Sequence, residues 1–268
     1  MKKHRLTYKA DELTPYINWD YFFHAWSIPH ARQGEAAAKQ LQHDAVELIS
    51  GNNCNVHALF ALCEAHSTGD NIDIEGTLLP LLRQQHTLPG KPNLCLSDFV
   101  SPYKDRIGLF ATAIEKSFED KRSNDDPYTS LLIQTTADRL AEAAATRLHL
   151  DVRTKESLWG YSPDERHTIE ELLHERHQGI RPAVGYPSLP DQSAIFIIDK
   201  LITLSDAGIT LTPSGAMQPH ASVCGIMIAH SAARYFSVGN ICDEQLHDYA
   251  QRRGIPAATL RKYLVRNI

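Results

Sequence analysis

Hydrophobic and polar positions along the chain change period several times, and each change predicts an element. Asn55 to Cys63 is a short apolar run, Ser67 to Asn71 (STGDN) is a turn signal, and Ile72 to Ile74 (IDI) follows, so these segments predict a strand, a hairpin turn and a second strand. Arg106 to Ile114 (RIGLFATAI) is apolar on both faces and predicts a buried central strand. The polar break EDKRSNDDP at Glu119 to Pro127 predicts an exposed loop. After it, Tyr128 to Val152 carries leucine and alanine at helical spacing and predicts the longest helix.

The remaining pattern is mixed. A helix is expected after Ser162, with Ser162 as cap, Pro163 at the first position, Glu165 completing a capping box and Gly179 closing the end. Ile195 to Leu204 fits either helix or strand; its stripe of Ile195, Ile198, Leu201 and Ile202 favours helix. Ser222 to Ala229 and Tyr235 to Ile241 are rich in β-formers and read as paired strands. Two helices should follow, at Asp243 to Arg253 with Asp243 as cap and Gly254 as stop, and at Pro256 to Leu264. There is no internal repeat and no convincing linker. The expected fold is therefore a single α+β domain over residues 1–268, with a mostly antiparallel, twisted sheet flanked by helices.

Composition narrows the function. With 43% hydrophobic and 22% charged residues, the 268-residue chain can bury a sizeable core. A net charge of −5 offers no general attraction to nucleic acid or to an anionic membrane. The start, MKKHRLTYKADEL, has no apolar run behind it and is not a secretory signal, and no stretch approaches the ~20 apolar residues of a bilayer span. Five cysteines without a CxxC pair argue against a disulfide framework or a zinc knuckle, and the cytoplasm is the expected compartment.

Gln178 to Ser193 (QGIRPAVGYPSLPDQS) is the richest segment chemically. Its three prolines and two glycines surround one cation, Arg181, and one tyrosine, Tyr186. Each proline fixes its own φ and drives its predecessor out of the α region, so Arg181, Tyr186 and Leu189 are expected to be extended. A stiff loop with an arginine fork, free amides and an aromatic face suits a small ligand carrying a carboxylate and a flat ring. A plain connector with a solvated arginine has the same composition.

Two ExxH spacings, Glu171 to His174 and Glu244 to His247, match the helical pairing of di-iron carboxylate bundles. Strand-like and proline-rich segments between them leave little room for a four-helix bundle, so solvated helix faces explain them better. The chain has no HExxH, GxSxG, GxGxxG or Walker loop, which removes the commoner protease, hydrolase and nucleotide-binding readings.

The RPAxGYPxxPD pattern of Arg181 to Asp191 resembles the S-adenosylmethionine-binding loop of the activation domain of cobalamin-dependent methionine synthase. Further segments resemble the family in the same order: YINWDYFFHAW (Tyr16 to Trp26), LCLSDFVSP (Leu94 to Pro102), TADRLAEA (Thr136 to Ala143), LWGYSPDE (Leu158 to Glu165), HASVCGIMIAHSAARYFSVGNI (His220 to Ile241) and DYAQRRG (Asp248 to Gly254). The resemblance thus covers nearly the whole chain.

The resemblance implies a module that positions S-adenosylmethionine for reductive methylation of cob(II)alamin on a partner methionine synthase or related corrinoid protein, with one electron from a flavodoxin-type donor. It implies that Arg181 binds the methionine carboxylate, Ala183 offers backbone hydrogen bonds to adenine, and Tyr235 completes the methionine end. Tyr186 is a wall of the site or a packing residue of the loop. Glu142 and Glu175 fall at acidic family positions near the donor and the corrinoid-facing surface, or are solvated helix residues. Asn18 stands where the family has an aspartate that meets the ligand's amino group; an amide still accepts a hydrogen bond but loses the charge attraction. The chain lacks the DxHxxG cobalt-ligand motif and a paired-cysteine zinc site, so the implied role is one part of a methyltransferase system, inactive alone. A non-enzymatic S-adenosylmethionine sensor or assembly protein with the same fold is the alternative.

Overall fold

The apolar run at Asn55 becomes the longest strand, β2, and the sheet is assembled around it. The computed structural model describes residues 1–87, 89–122 and 126–268. In chain order the elements are β1 (Lys2–Lys9), α1 (Ala10–Leu13), α2 (Trp19–Ala25), α3 (Ala36–Ser50), β2 (Asn55–Thr68), β3 (Asn71–Ile74), β4 (Thr77–Pro80), β5 (Asp105–Ile114), α4 (Lys116–Glu119), α5 (Pro127–Thr154), α6 (Ile169–Leu173), α7 (Ile195–Ile202), β6 (Thr210–Leu211), β7 (Met217–Gln218), β8 (Ser222–Met227), α8 (Asp243–Arg253) and α9 (Ala257–Leu260).

The main sheet runs β4-β3-β2-β5-β8, and β1 pairs with the first half of β2. Every pairing found among the described residues is antiparallel. Register is fixed by burial on both faces. Along β2 and β5, Leu59, Ala61, Ile107 and Leu109 pack against Ile195, Ile198 and Ile202 of α7. Their neighbours Ala58, Phe60 and Phe110 turn to the other side, against Ala137, Leu140, Ala141 and Leu148 of α5. A one-residue slip of either strand would exchange these two sets, which is why the pairing is unique. The α+β architecture with a helix-flanked antiparallel sheet is the one expected.

Helix α5 carries the site and is well defined at its start. Asp126 accepts a 3.0 Å hydrogen bond from the Thr129 amide, and Pro127 occupies the first turn. Within the charged break before it, residues 123–125 lie outside the described residues. Asn18 caps α2 in the same manner, its Oδ1 accepting from the Tyr21 amide at 3.3 Å. The strand over Arg106 to Ile114 forms, and the helix expected over Ile195 to Leu204 forms as far as Ile202, where Thr203 turns left-handed with φ 59°. Among the described residues, no helix is long and apolar enough to cross a membrane.

Three expectations need correction. No helix starts at Ser162: the Glu165 carboxylate turns inward and takes a two-pronged contact from Arg153, at 2.7 Å from both Nε and Nη2, with side-chain exposures of 1% and 3%. A buried cation without its carboxylate is far costlier than a lost cap, so the pair wins. The helix begins instead after Thr168, where Thr168 and Glu171 form the capping box, and α6 ends after five residues.

Tyr235 to Ile241 is not a strand either. The flank of β8 that it would pair with is already occupied by residues 180–184. Its own amides go elsewhere, Phe236 to Ser188 Oγ at 3.0 Å and Val238 to the Pro187 carbonyl at 2.9 Å. Finally, α9 covers only Ala257–Leu260, and α8 is preceded by Cys242 with no side-chain cap, Asp243 being its first residue. Gly254 does end α8, in the left-handed conformation with φ 64°.

Candidate ligand groove

The proline-rich loop is laid on the sheet as an irregular strand. Ile180 and Ile228 exchange two 2.9 Å backbone hydrogen bonds; beyond them the Ile226 amide donates to the Pro182 carbonyl at 3.0 Å and the Val184 amide to the Cys224 carbonyl at 2.8 Å. Pro182 contributes its carbonyl only, which is all the ladder asks of it. Close approach requires Gly225: a Cβ there would stand 2.1 Å from the Pro182 carbonyl oxygen and 2.8 Å from Ala183 Cα.

This pairing decides what the loop presents. Ala183 faces Gly225 in a non-hydrogen-bonded pair, so its own N–H and C=O point away from β8. Its carbonyl accepts one 3.2 Å bond from the Tyr186 amide. The Arg181 amide likewise points outward, donating to the Tyr235 hydroxyl at 2.9 Å.

These groups line a groove of about 1300 Å³. Its walls are the Tyr16 to Tyr21 segment with the start of α2, the Arg139, Glu142 and Thr146 face of α5, the α6 segment to Glu175, the loop from Arg181 to Ser188, and Tyr235 with Phe236. Ile17, Phe110, Leu172 and Val223 supply buried apolar surface. All seven residues singled out from the sequence, Asn18, Glu142, Glu175, Arg181, Ala183, Tyr186 and Tyr235, lie on this one groove.

The Arg181 guanidinium donates from Nη2 to Thr146 Oγ1 at 2.9 Å, while Nη1 is buried without a hydrogen-bond partner. No carboxylate lies within ion-pair distance of it among the described residues. Tyr186 is 48% exposed, and its hydroxyl donates to the Glu142 carboxylate on α5. Burial first, and then that carboxylate, push its phenol upward. Tyr235 is raised by burial, opposed by the Arg181 cation. Glu175 follows α6 in a left-handed conformation, φ 57°; it is exposed at the rim yet set in a concave wall, and desolvation raises its carboxyl, with Arg181 acting in the opposite sense.

Among the groove residues not anticipated, three carry polar or aromatic contacts that bear on the site. Thr146 lies one helical turn beyond Glu142, a spacing that puts both on one face of α5. Arg139, one turn before Glu142 on the same helix, sits 6.0 Å from the Tyr21 ring, a cation–π pair on the rim. The spacing alone could have nominated Thr146 and Arg139; Tyr21 carried no such signal. The ExxH histidines do not converge: His174 Nδ1 lies 2.8 Å from the Glu170 carbonyl and His247 Nδ1 2.7 Å from the Asp243 carbonyl. No group of three metal-ligating side chains occurs among the described residues.

Fold and groove define an α+β module with an open cleft of mixed apolar and charged character, its proline-rich loop anchored on the edge of an antiparallel sheet. The MetH reactivation domain, solved in a crystal structure with bound AdoHcy, is similar: TM-score 0.89 and 33% identity over 100% of this chain and 90% of that one. The family described as "Vitamin B12 dependent methionine synthase, activation domain" matches residues 9–254. The chain belongs to this family.

Proposed function

We propose that the groove binds S-adenosylmethionine and positions its methyl group for reductive methylation of cobalamin carried by a methionine synthase module or a related corrinoid protein. The observation that carries this reading is Arg181: a cation whose Nη2 is held by Thr146, whose backbone is held by Tyr235 and whose Nη1 has no acceptor of its own. A ligand carboxylate beside the guanidinium would supply the anionic partner that Arg181 lacks, with charge-assisted strength. The outward N–H and C=O of Ala183 match an adenine edge, and Glu142 and Glu175 supply negative charge for a cationic sulfonium and toward the corrinoid-facing rim.

The chain's contribution is one of positioning. Cobalamin, when present on the partner, supplies the methyl acceptor, with one electron from a flavodoxin-type donor. A groove rather than a closed cavity suits an acceptor that arrives on another protein module. All five cysteines are free thiols, which supports a reducing cytoplasmic setting.

Calorimetric titration with S-adenosylmethionine, followed by assay of labelled methylcobalamin formation with a corrinoid partner and a reductant, tests the proposal. Binding at one site and turnover only with both additions are expected. Binding without turnover for every corrinoid partner supports the sensor reading, and absence of binding removes both.

A further inference from the structure

We propose that Thr146 is a positioning residue for ligand recognition, acting through Arg181. The inference rests on the reading of the groove as an S-adenosylmethionine site and assigns part of its specificity to a residue on α5, outside the proline-rich loop.

Thr146 is 6% exposed, in the middle of α5, and its hydroxyl has two partners. It lies 3.1 Å from the Glu142 carbonyl one turn earlier, to which it donates, and 2.9 Å from Arg181 Nη2, from which it accepts. A hydroxyl has one hydrogen. Because the helix carbonyl takes it, the oxygen that meets Arg181 is left as an acceptor only, and the two contacts reinforce one another.

An arginine side chain loses rotamer freedom when fixed, so an unanchored Arg181 would bear that loss at the moment of binding. It would also have another place to go. The Glu175 carboxylate stands on the same groove close enough to interact electrostatically with Arg181, although the two do not form an ion pair. His149 and His177, whose pKa values are lowered chiefly by burial and then by the Arg153 and Arg181 cations, carry no negative charge in either protonation state and so offer Arg181 no competing ion pair. Thr146 is thus the neutral acceptor that holds the fork ready without neutralising it. A carboxylate in its place would consume the charge, and an apolar residue would release it toward Glu175.

The test is calorimetric binding of two probes, S-adenosylmethionine and 5′-methylthioadenosine, which keeps the adenosine and the S-methyl group but has a neutral thioether in place of the sulfonium and lacks the amino-acid end. Thr146→Val is expected to weaken S-adenosylmethionine roughly 10-fold, the scale of one hydrogen bond to a charged group. It should leave 5′-methylthioadenosine within about twofold. Thr146→Ser should restore the first affinity. In an Arg181→Ala background, Thr146→Val should have no further effect, because the pathway runs through the arginine. Equal weakening of both probes, or an undiminished loss in the Arg181→Ala background, overturns the proposal. Should Thr146→Val fail to fold, Thr146→Ala is read by the same criteria. Failure of the wild-type protein to bind S-adenosylmethionine overturns the groove reading itself and is recognised without any variant.

Discussion

The Asp191 carboxylate, 1% exposed, accepts a 2.7 Å hydrogen bond from the Tyr249 hydroxyl, tying the end of the proline-rich loop to helix α8. Arg253 joins them: its Nε lies 3.2 Å from Asp191, off the hydrogen-bond direction, while its Nη2 donates to Ser193 Oγ at 2.7 Å. Ser193 in turn donates to Asp191 from both amide and hydroxyl. Asp191→Ala leaves Arg253 as a buried cation without its carboxylate, so a loss of about 3–5 kcal/mol in urea denaturation is expected. Tyr249→Phe removes one bond to a charged group and should cost about 1.5–3 kcal/mol.

Gly225→Ala should lift the Arg181 to Val184 segment from β8, since the added methyl meets the Pro182 carbonyl and the Ala183 backbone first, with the buried Phe110 ring 3.0 Å away. A stability loss of about 1–3 kcal/mol or more is expected from the overpacking. Ligand affinity should fall further than stability does. Hydrogen exchange of the Val184 and Ile226 amides, both bonded across this seam, reads the displacement directly.

Arg181→Ala should weaken S-adenosylmethionine binding by about 1.5–3 kcal/mol in calorimetric titration. Asn18→Asp provides the complementary gain. Aspartate caps a helix as well as asparagine does, so α2 keeps its start and the substitution reads charge alone. Tighter binding whose advantage shrinks as salt is raised is expected, and identical affinity would place the ligand's amino group elsewhere.

Acid should destabilise the protein in a defined window. His177 is pulled down to about 4, chiefly by burial and then by the Arg153 and Arg181 cations, and fully buried His149 is lowered in the same direction. Their unfolded value is 6.5, so between about 4 and 6.5 the unfolded chain binds more protons than the folded one. Stability is therefore expected to be complete above pH 6.5 and to decline as pH falls through that window. Denaturation midpoints between pH 7 and 5 check this, and His177→Gln should flatten part of the decline.

Residues 1–268 are expected to unfold in one cooperative transition. β1 is registered along residues 55–62 of β2, and Arg252 of α8, near the C-terminal end, donates to the carbonyls of Asp70 and Leu81 beside β3 and β4. Differential scanning calorimetry with equal calorimetric and van't Hoff enthalpies is the check. Two separable transitions would divide the chain into units.

Much of this architecture was legible in the sequence because burial on both faces leaves a strong pattern. β2, β5, α5 and α7 all follow from periodicity, and the loop from its prolines. What misled is equally physical. Ser162, Pro163 and Glu165 satisfy every local rule for a helix start, but Glu165 answers to Arg153, twelve residues away, and a buried ion pair is invisible to local pattern. Tyr235 to Ile241 has strand composition, yet β8 had already been paired by Ile180 to Val184, a segment whose prolines disguise it as a connector. Convergence of Asn18, Glu142 and Arg181 on one groove was expected from family likeness, not from spacing; helical spacing from Glu142 places Thr146 on the same face of α5, but its role is visible only in the 2.9 Å contact with Arg181.

The seam between residues 180–184 and β8 also constrains how this segment can change over generations. Ile180 and Val184 belong to the apolar layer on the α7 side, while Arg181 and Ala183 serve the groove on the α5 side. A deletion or insertion of one residue here inverts that parity, burying the guanidinium among isoleucines and turning an isoleucine toward the ligand. Substitutions can be sampled one at a time, but length can shift only in pairs, so this stretch should diverge in composition while its residue count stays frozen.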